Sequence, residues 1–141
     1  MLYFAYGSNL NHYQMKNIRC FGSRYLKAFF LKDYKLIFCH PNKLNKFGYA
    51  NIIKKRGSQV AGAIWRITKE HEKILDDYEQ FPNIYRKQHF YLGGKKIMFY
   101  IMNKFIFKDP PKSYIDTINK PKTKIPKSLF IMRILILKLL I

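Results

Sequence analysis

Two groups of residues in this chain have types and spacing that suit chemistry. The first follows an apolar run at residues 2–6, where Gly7-Ser8-Asn9-Leu10 breaks the run and predicts a turn into a helix. Glycine lets a ligand approach the main chain closely, and Ser and Asn are favoured helix N-caps. Such a turn aims unpaired backbone N–H groups at one point, which suits an anion or a carboxylate. The same residues also fit a capped strand-to-helix junction that binds nothing.

The second group is a cluster of acidic side chains in an otherwise basic chain. Five of the eight acidic residues lie within residues 70–79. They are Glu70, Glu72, Asp76, Asp77 and Glu79. Helical spacing places Glu79 at the edge of the apolar side, where desolvation raises the pKa of a carboxyl group and suits it to acid and base catalysis. Glu70 lies equally near the apolar stripe on its other flank, in a first turn where an acid ordinarily complements the helix dipole. Alternatively, all five form a solvated face that balances nearby lysines.

The elements that must position these groups follow from hydrophobic periodicity and turn signals. Strands are predicted at residues 2–6, 25–30, 34–39, 49–53, 60–67, 85–92 and 96–102. The strands at 25–30 and 34–39 are predicted to pair with each other, and those at 85–92 and 96–102 to pair across Gly93-Gly94. Gly62 within its strand predicts close approach of another backbone. Helices are predicted at residues 11–18, at 69–80 after the N-cap Thr68, and from Ser113.

The composition indicates one folded domain over residues 1–141, with 48% hydrophobic and 17% aromatic residues. The formal net charge of +19 permits binding to nucleic acid or to an anionic membrane surface without requiring either. Cys20 and Cys39 do not form a zinc pattern, and no signal peptide precedes the first strand. We therefore expect free thiols in a reducing, cytoplasmic setting, with no metal and no cofactor.

The segment at residues 120–141 differs in character, because an almost unbroken apolar run follows two prolines among lysines. The run at residues 129–141 is too short to span a bilayer as a helix. It is expected to be a terminal helix or strand packed on the sheet, or an interfacial anchor.

Several common sites are excluded by their motifs. There is no Gly-rich phosphate loop followed by Gly-Lys-Ser or Gly-Lys-Thr, and no dinucleotide-binding glycine pattern. The four histidines have no metal-like spacing. Ser8 lacks the second glycine of a nucleophile elbow, which disfavours serine hydrolysis.

The opening sequence LYFAYGSNL at residues 2–10 resembles the signature of the γ-glutamylcyclotransferase family, which includes AIG2-like proteins. Further similarities follow in order: FLKDYKL at 30–36, VAGAIW at 60–65, LDDYE at 75–79 and PPKSY at 110–114. The resemblance covers roughly residues 2–119, and its first motif is the specific one.

This resemblance implies an α+β fold, a small mixed β-barrel-like sheet with short flanking helices. It implies that Glu79 is the catalytic acid and base. The implied substrate-binding residues are Tyr6, Gly7, Ser8, Asn9, Leu10, Tyr85 and Tyr114.

The resemblance also implies an enzyme that cyclises a γ-glutamyl amide or dipeptide to 5-oxoproline and releases an amine or amino acid. Its partner would be a small γ-glutamyl molecule, and the protein would be a monomer or homodimer with no specific nucleic-acid partner. The alternative is a basic, non-catalytic binding protein of the same fold that contacts nucleic acid or an anionic membrane surface.

Overall fold

The computed structural model describes residues 1–119, in which six strands form one curled, mixed sheet. The strands are β1 (Leu2–Ala5), β2 (Arg24–His40), β3 (Tyr49–Arg66), β4 (Arg86–Leu92), β5 (Lys95–Ile101) and β6 (Ile106–Phe107), and the helices are α1 (Lys69–Tyr78) and α2 (Lys112–Asn119). The sheet order is β4-β5-β1-β3-β2-β6, with β1 and β5 parallel and the other neighbours antiparallel. The predicted fold class, a small mixed barrel-like sheet with short helices, is confirmed.

The central strands β2 and β3 are each longer than the sequence predicted. The segments at residues 25–30 and 34–39 do not pair with each other; both belong to β2, and each pairs with a different half of β3. Asp33 and Gly57 lie between the predicted strands, and in place of turns they form two facing irregularities with φ of 61° and 80°. The Gly57 amide donates to Asp33 Oδ1 at 2.9 Å, so the two strands bend together and continue.

The chain after β1 does not form the regular helix predicted at residues 11–18. It makes a 3-10 turn at Ser8–Leu10 and a π-helical segment at Gln14–Arg19. Neither Ser8 nor Asn9 acts as an N-cap, because Gly7 is the N-cap residue and no side chain caps this turn. The side chains of Ser8 and Asn9 instead accept hydrogen bonds from Arg19.

Helix α1 begins as predicted, with Thr68 as its N-cap. The Thr68 side chain accepts from the His71 amide at 3.2 Å, and the His71 ring accepts from the Thr68 amide at 3.3 Å. The helix ends two residues earlier than predicted, so Glu79 is its C-cap and Gln80 follows with a φ of 50°. Of the predicted apolar stripe, Leu75 is fully buried whereas Ile74 and Tyr78 are about half exposed.

The core lies on both faces of the curled sheet. Phe4, Ile64 and Phe99 belong to one buried cluster, and Trp65 and Leu75 belong to the other. Gly62 confirms the predicted close approach, because an added Cβ would overlap the ring of Phe4 and the carbonyl oxygen of Ala5. Burial of apolar surface at about 25 cal/mol per Å² makes these clusters the main stabilising contribution.

The remaining predictions concern the end of the chain. The β4–β5 hairpin turns at the predicted glycines, and α2 begins at Lys112, next to the predicted Ser113. No helix within residues 1–119 has the length and apolar character needed to cross a membrane. The predicted terminal segment at residues 120–141 lies outside the described residues.

Candidate active site

A cavity of about 280 Å³ opens where the turn after β1, the start of β3, the end of α1 and helix α2 meet. Its wall is mostly aromatic, with one carboxyl group and one stretch of irregular backbone. The lining residues are Tyr3, Tyr6, Gly7, Ser8, Asn9, His40, Tyr49, Ala50, Tyr78, Glu79, Gln80, Ile84, Tyr85, Tyr100, Met102 and Tyr114. The structure therefore brings Glu79 and Gly7, 72 positions apart in the sequence, to one cavity.

Glu79 is positioned by the end of α1, where its amide donates to the Leu75 carbonyl at 2.8 Å. Its side chain is partly accessible through the cavity, while protein surrounds it on the other sides. Burial raises the pKa of Glu79 from 4.5 to about 7, and the positive charge of Arg19 opposes this rise. Within residues 1–119, its carboxyl group has no salt bridge, so it is available to a ligand.

The other acids of the cluster have different environments. Glu70 is exposed at the start of α1, where its own backbone amide and then the Thr68 side chain lower its pKa. Glu72 and Asp76 both pair with Lys87, at 2.7 and 2.8 Å. Among the five clustered acids, Glu79 alone lines the cavity.

Gly7, Ser8 and Asn9 form the opposite wall, here called the Gly7 turn. An added Cβ on Gly7 would lie 2.9 Å from the Tyr114 hydroxyl and 3.1 Å from Ala50 Cβ. These distances are shorter than nearly all real contacts, so this position requires glycine because α2 and β3 pack directly against it.

The amides of the Gly7 turn differ in what they bind. Those of Leu10 and Asn11 donate to the carbonyls of Gly7 and Ser8, both at 3.0 Å. Within the described part of the chain, the amides of Gly7 and Asn9 have no such backbone acceptor. These donors belong to cavity-lining residues.

Arg19 is a functional candidate that sequence reasoning missed. Its Nη1 donates to Ser8 Oγ at 3.1 Å and also to Asn9 Oδ1, and its guanidinium carbon lies 3.3 Å from the centroid of the Tyr78 ring. Asn9 Nδ2 in turn donates to the Tyr3 hydroxyl at 3.0 Å. Nothing in the local pattern distinguishes Arg19 from the 26 other lysines and arginines, because its partners come from two other elements, the 3-10 turn and α1.

The predicted tyrosines all reach the cavity. Tyr85 donates to the Ala50 carbonyl at 2.8 Å, and the Ala50 amide donates to the Tyr114 hydroxyl at 3.2 Å. Tyr6 donates to the Tyr100 carbonyl at 2.5 Å. Burial raises the pKa of each of these tyrosines, so their hydroxyls stay neutral and act as fixed hydrogen-bonding groups.

Leu10 lies elsewhere. Its side chain is fully buried in the core cluster that contains Met15 and Leu75, and it does not line the cavity. An apolar side chain at the end of the 3-10 turn packs inward and anchors the turn from behind. Leu10 therefore supports the Gly7 turn from within the core, behind the residues that line the cavity.

No group of three or more His, Cys, Asp or Glu side chains within residues 1–119 is arranged to hold a metal ion. Cys20 and Cys39 are both free and buried.

Comparison with known proteins identifies the family. Residues 3–120 match the family described as γ-glutamyl cyclotransferase, AIG2-like, and the chain therefore belongs to it. The predicted family is thus confirmed. No match was found among curated proteins.

Solved structures agree with this assignment. A structure titled γ-glutamyl cyclotransferase has a TM-score of 0.72 at 20% identity and shows the same fold, covering 92% of this chain and 95% of that one. An uncharacterized protein from Homo sapiens is 26% identical with a TM-score of 0.69, over 83% of this chain and 75% of that chain. YkqA from Bacillus subtilis has a TM-score of 0.68 at 22% identity, over 84% of this chain and 46% of that chain.

Proposed function

We propose that this protein cyclises a γ-glutamyl amide or dipeptide to 5-oxoproline and releases the amine or amino acid. The observation that carries the proposal is the position of Glu79, a carboxyl group with a pKa of about 7 in the same cavity as the Gly7 turn. Membership of the γ-glutamyl cyclotransferase, AIG2-like family supports the same reaction class.

The reaction needs no nucleophile from the protein. The α-amine of the substrate attacks its own γ-carbonyl carbon, a new C–N bond closes a five-membered ring, and the original amide C–N bond breaks. Placing the amine against the carbonyl supplies on the order of 7 to 11 kcal/mol of the barrier, which is the main task of a closely fitting cavity.

Glu79 would carry the proton. Its carboxylate accepts a proton from the α-ammonium group, which frees the amine to attack, and then gives a proton to the departing nitrogen, so the residue ends each cycle as it began. A group that must serve as base and then as acid works best with a pKa near the working pH. Desolvation provides this for Glu79, whereas an ordinary exposed glutamate would be too weak a base.

The Gly7 turn would bind a negatively charged oxygen of the substrate through the amides of Gly7 and Asn9. Preorganised backbone donors suit both a carboxylate and a developing oxyanion. The neutral hydroxyls of Tyr85 and Tyr114 would shape the cavity around the glutamyl group. We further place the enzyme in the cytoplasm, which its two free, buried cysteines favour.

The proposal is tested by identifying the products formed from γ-glutamyl substrates. Cyclisation predicts 5-oxoproline and the free amine in equal amounts, with no glutamate. A substrate whose α-amine is acetylated serves as the matched control, because it keeps the amide bond but lacks the nucleophile. Release of amine from the acetylated substrate, or glutamate as the product, would show hydrolysis and contradict the proposal.

The second candidate is a basic binding protein of the same fold, and the net charge of +19 favours it. It predicts salt-dependent binding to RNA or to anionic vesicles without turnover of any γ-glutamyl substrate. Such binding combined with turnover would leave the enzymatic proposal in place, because a basic surface binds polyanions non-specifically.

A further inference from the structure

We propose that Arg19 is a positioning residue that joins the two walls of the cavity and holds a positive charge at the end of α1 that carries Glu79. The inference rests on the proposed function of Glu79 as a base. Arg19 does not line the cavity, so its effect would pass through the residues it contacts.

The guanidinium group of Arg19 contacts residues of both cavity walls. One of its nitrogens donates both to Ser8 Oγ, at 3.1 Å, and to Asn9 Oδ1, which fixes two consecutive side chains of the Gly7 turn. Its planar face lies on the Tyr78 ring, 3.3 Å from the ring centroid. Tyr78 is the last residue of α1 and directly precedes Glu79. Arg19 thus ties one wall of the cavity to the other.

The simultaneous contacts with the Gly7 turn and with the Tyr78 ring require arginine at position 19. A guanidinium group stacks on an aromatic face while its edge donates in the plane, whereas an ammonium group is a compact point charge without that fork. Lysine at position 19 would keep the charge and lose the simultaneous contacts with the Gly7 turn and with Tyr78.

The positive charge of Arg19 also acts on Glu79. The ionisable groups that interact with Glu79 come from β1 and the residue after it, from β5, from α2, from the segment before β4 and from the π-helical segment. They are Tyr3, Tyr6, Tyr100, Tyr114 and Tyr85, whose pKa values Glu79 raises, and Arg19, which acts on Glu79. From β2, His40 also lines the cavity, with its ring nitrogens in contact with Asn42 and Asn45. The tyrosines are neutral, so within the described residues Arg19 is the positive charge that opposes the desolvation of Glu79.

The experiment measures the pKa of Glu79 directly, by NMR titration of carboxyl-labelled glutamate in the folded protein, with Glu79→Gln used to assign the signal. We expect Arg19→Gln to raise this pKa by about one pH unit, the size of effect typical of a lost neighbouring charge. The acid limb of the pH profile of kcat/KM should move upward with it. At pH 7 the ionised fraction, and with it kcat, would then fall by about fivefold.

Two further variants separate charge from position. Arg19→Lys should leave the pKa of Glu79 close to that of the wild type while KM for the γ-glutamyl substrate rises, because the Gly7 turn is no longer held. Lys16→Gln removes an exposed cation from the same π-helical segment and should change neither quantity.

The outcomes are distinct from failure of the proposed function, because the titration needs no turnover. An unchanged pKa of Glu79 in a folded Arg19→Gln variant overturns the inference, as does an equal shift in Lys16→Gln. If Arg19→Gln does not fold, Arg19→Lys decides the matter: wild-type KM and kcat would show that Arg19 does not position the turn.

Discussion

Glu79 is a residue at which stability and the proposed activity oppose each other. Its pKa is raised in the folded state, so the folded protein binds a proton more tightly than the unfolded chain does. The contribution of Glu79 to the free energy of unfolding is therefore greatest below about pH 4.5. This contribution is lost as the pH rises through about 7, where the buried carboxyl group ionises. The proposed base thus has a cost in folding free energy at the pH where it works.

Glu79→Gln is accordingly predicted to stabilise the protein at pH 8 and not at pH 4.5. A carboxyl pKa raised from 4.5 to about 7 corresponds to at most about 3 kcal/mol of folding free energy at high pH. Glu79→Gln removes this cost because a neutral amide replaces the buried charge. Thermal unfolding of both proteins across this range checks the prediction. The same Tm difference at both pH values would contradict it.

Gly7 is the residue whose substitution should most directly disturb the proposed binding wall. In Gly7→Ala the new Cβ would press on the Tyr114 hydroxyl at 2.9 Å, and overpacking of this kind costs about 1 to 3 kcal/mol. We expect a lower Tm and a higher KM, measured by thermal unfolding and by steady-state kinetics.

The matched control combines Gly7→Ala with Tyr114→Phe, which removes the hydroxyl that the Cβ would meet. Because Tyr114→Phe also removes the acceptor of the Ala50 amide, the comparison is between the cost of Gly7→Ala in the wild type and its cost in the Tyr114→Phe background. We expect a smaller cost in the Tyr114→Phe background, and Ala50 Cβ at 3.1 Å accounts for the part that remains. An equal cost in both backgrounds would show that the Tyr114 contact is not the cause.

At the residue scale, the sequence located the cluster of acidic residues but did not show which of them is the candidate acid and base. Helical spacing put Glu79 and Glu70 equally near the apolar stripe, and the family resemblance singled out Glu79. The structure adds the physical reason, since Glu70 is exposed at the start of α1 whereas Glu79 faces the cavity. Arg19 was missed because its contacts with Ser8, Asn9 and Tyr78 depend on tertiary structure.

At the element scale, α1 must be held on the sheet for Glu79 to face the cavity. Lys87 on β4 pairs with Glu72 and Asp76 on α1, and the remaining oxygen of Asp76 accepts from the Tyr100 hydroxyl at 2.6 Å. The three charged side chains are only about one-fifth exposed, so this network is less screened than a surface pair.

Lys87→Met is predicted to lower the free energy of unfolding by about 1 to 2 kcal/mol, because two carboxylates lose their shared partner. Lys73→Met is the matched control, since Lys73 is an exposed lysine of α1 and makes no salt bridge within residues 1–119. Chemical denaturation of both variants measures the difference. Equal stability of the two variants would contradict a role for Lys87 in holding α1.

Element boundaries were predictable where local signals decide them and failed where they do not. Thr68 and Gly93-Gly94 set the start of α1 and the β4–β5 turn through capping and left-handed backbone, both readable from the sequence. Asp33 and Gly57 have the same turn character, yet they face each other across β2 and β3 and form a bend. Whether such residues form a tight turn or a bend within a longer strand depends on the partner strand, which the local sequence does not show.

At the scale of the whole molecule, the curled sheet places residues from both ends of the described chain around one cavity. Tyr6 and Gly7 follow β1, Glu79 ends α1, and Tyr114 belongs to α2. The composition predicted a folded domain rich in aromatic residues, but the net charge of +19 said nothing about this cavity. Among residues 1–119, the lining of the cavity contains one acidic side chain, Glu79, and no lysine or arginine. A global charge describes solubility and non-specific binding, whereas activity depends on the site.

The most direct test of the account is kcat/KM for release of 5-oxoproline at pH 7, compared between the wild type and Glu79→Gln. General acid and base catalysis contributes about 10² to 10⁴ in rate, so we predict a loss of at least about a hundredfold. Asp77→Asn, which removes an exposed acid of α1, should retain wild-type activity. A Glu79→Gln variant as active as the wild type would contradict the central claim that Glu79 transfers the proton.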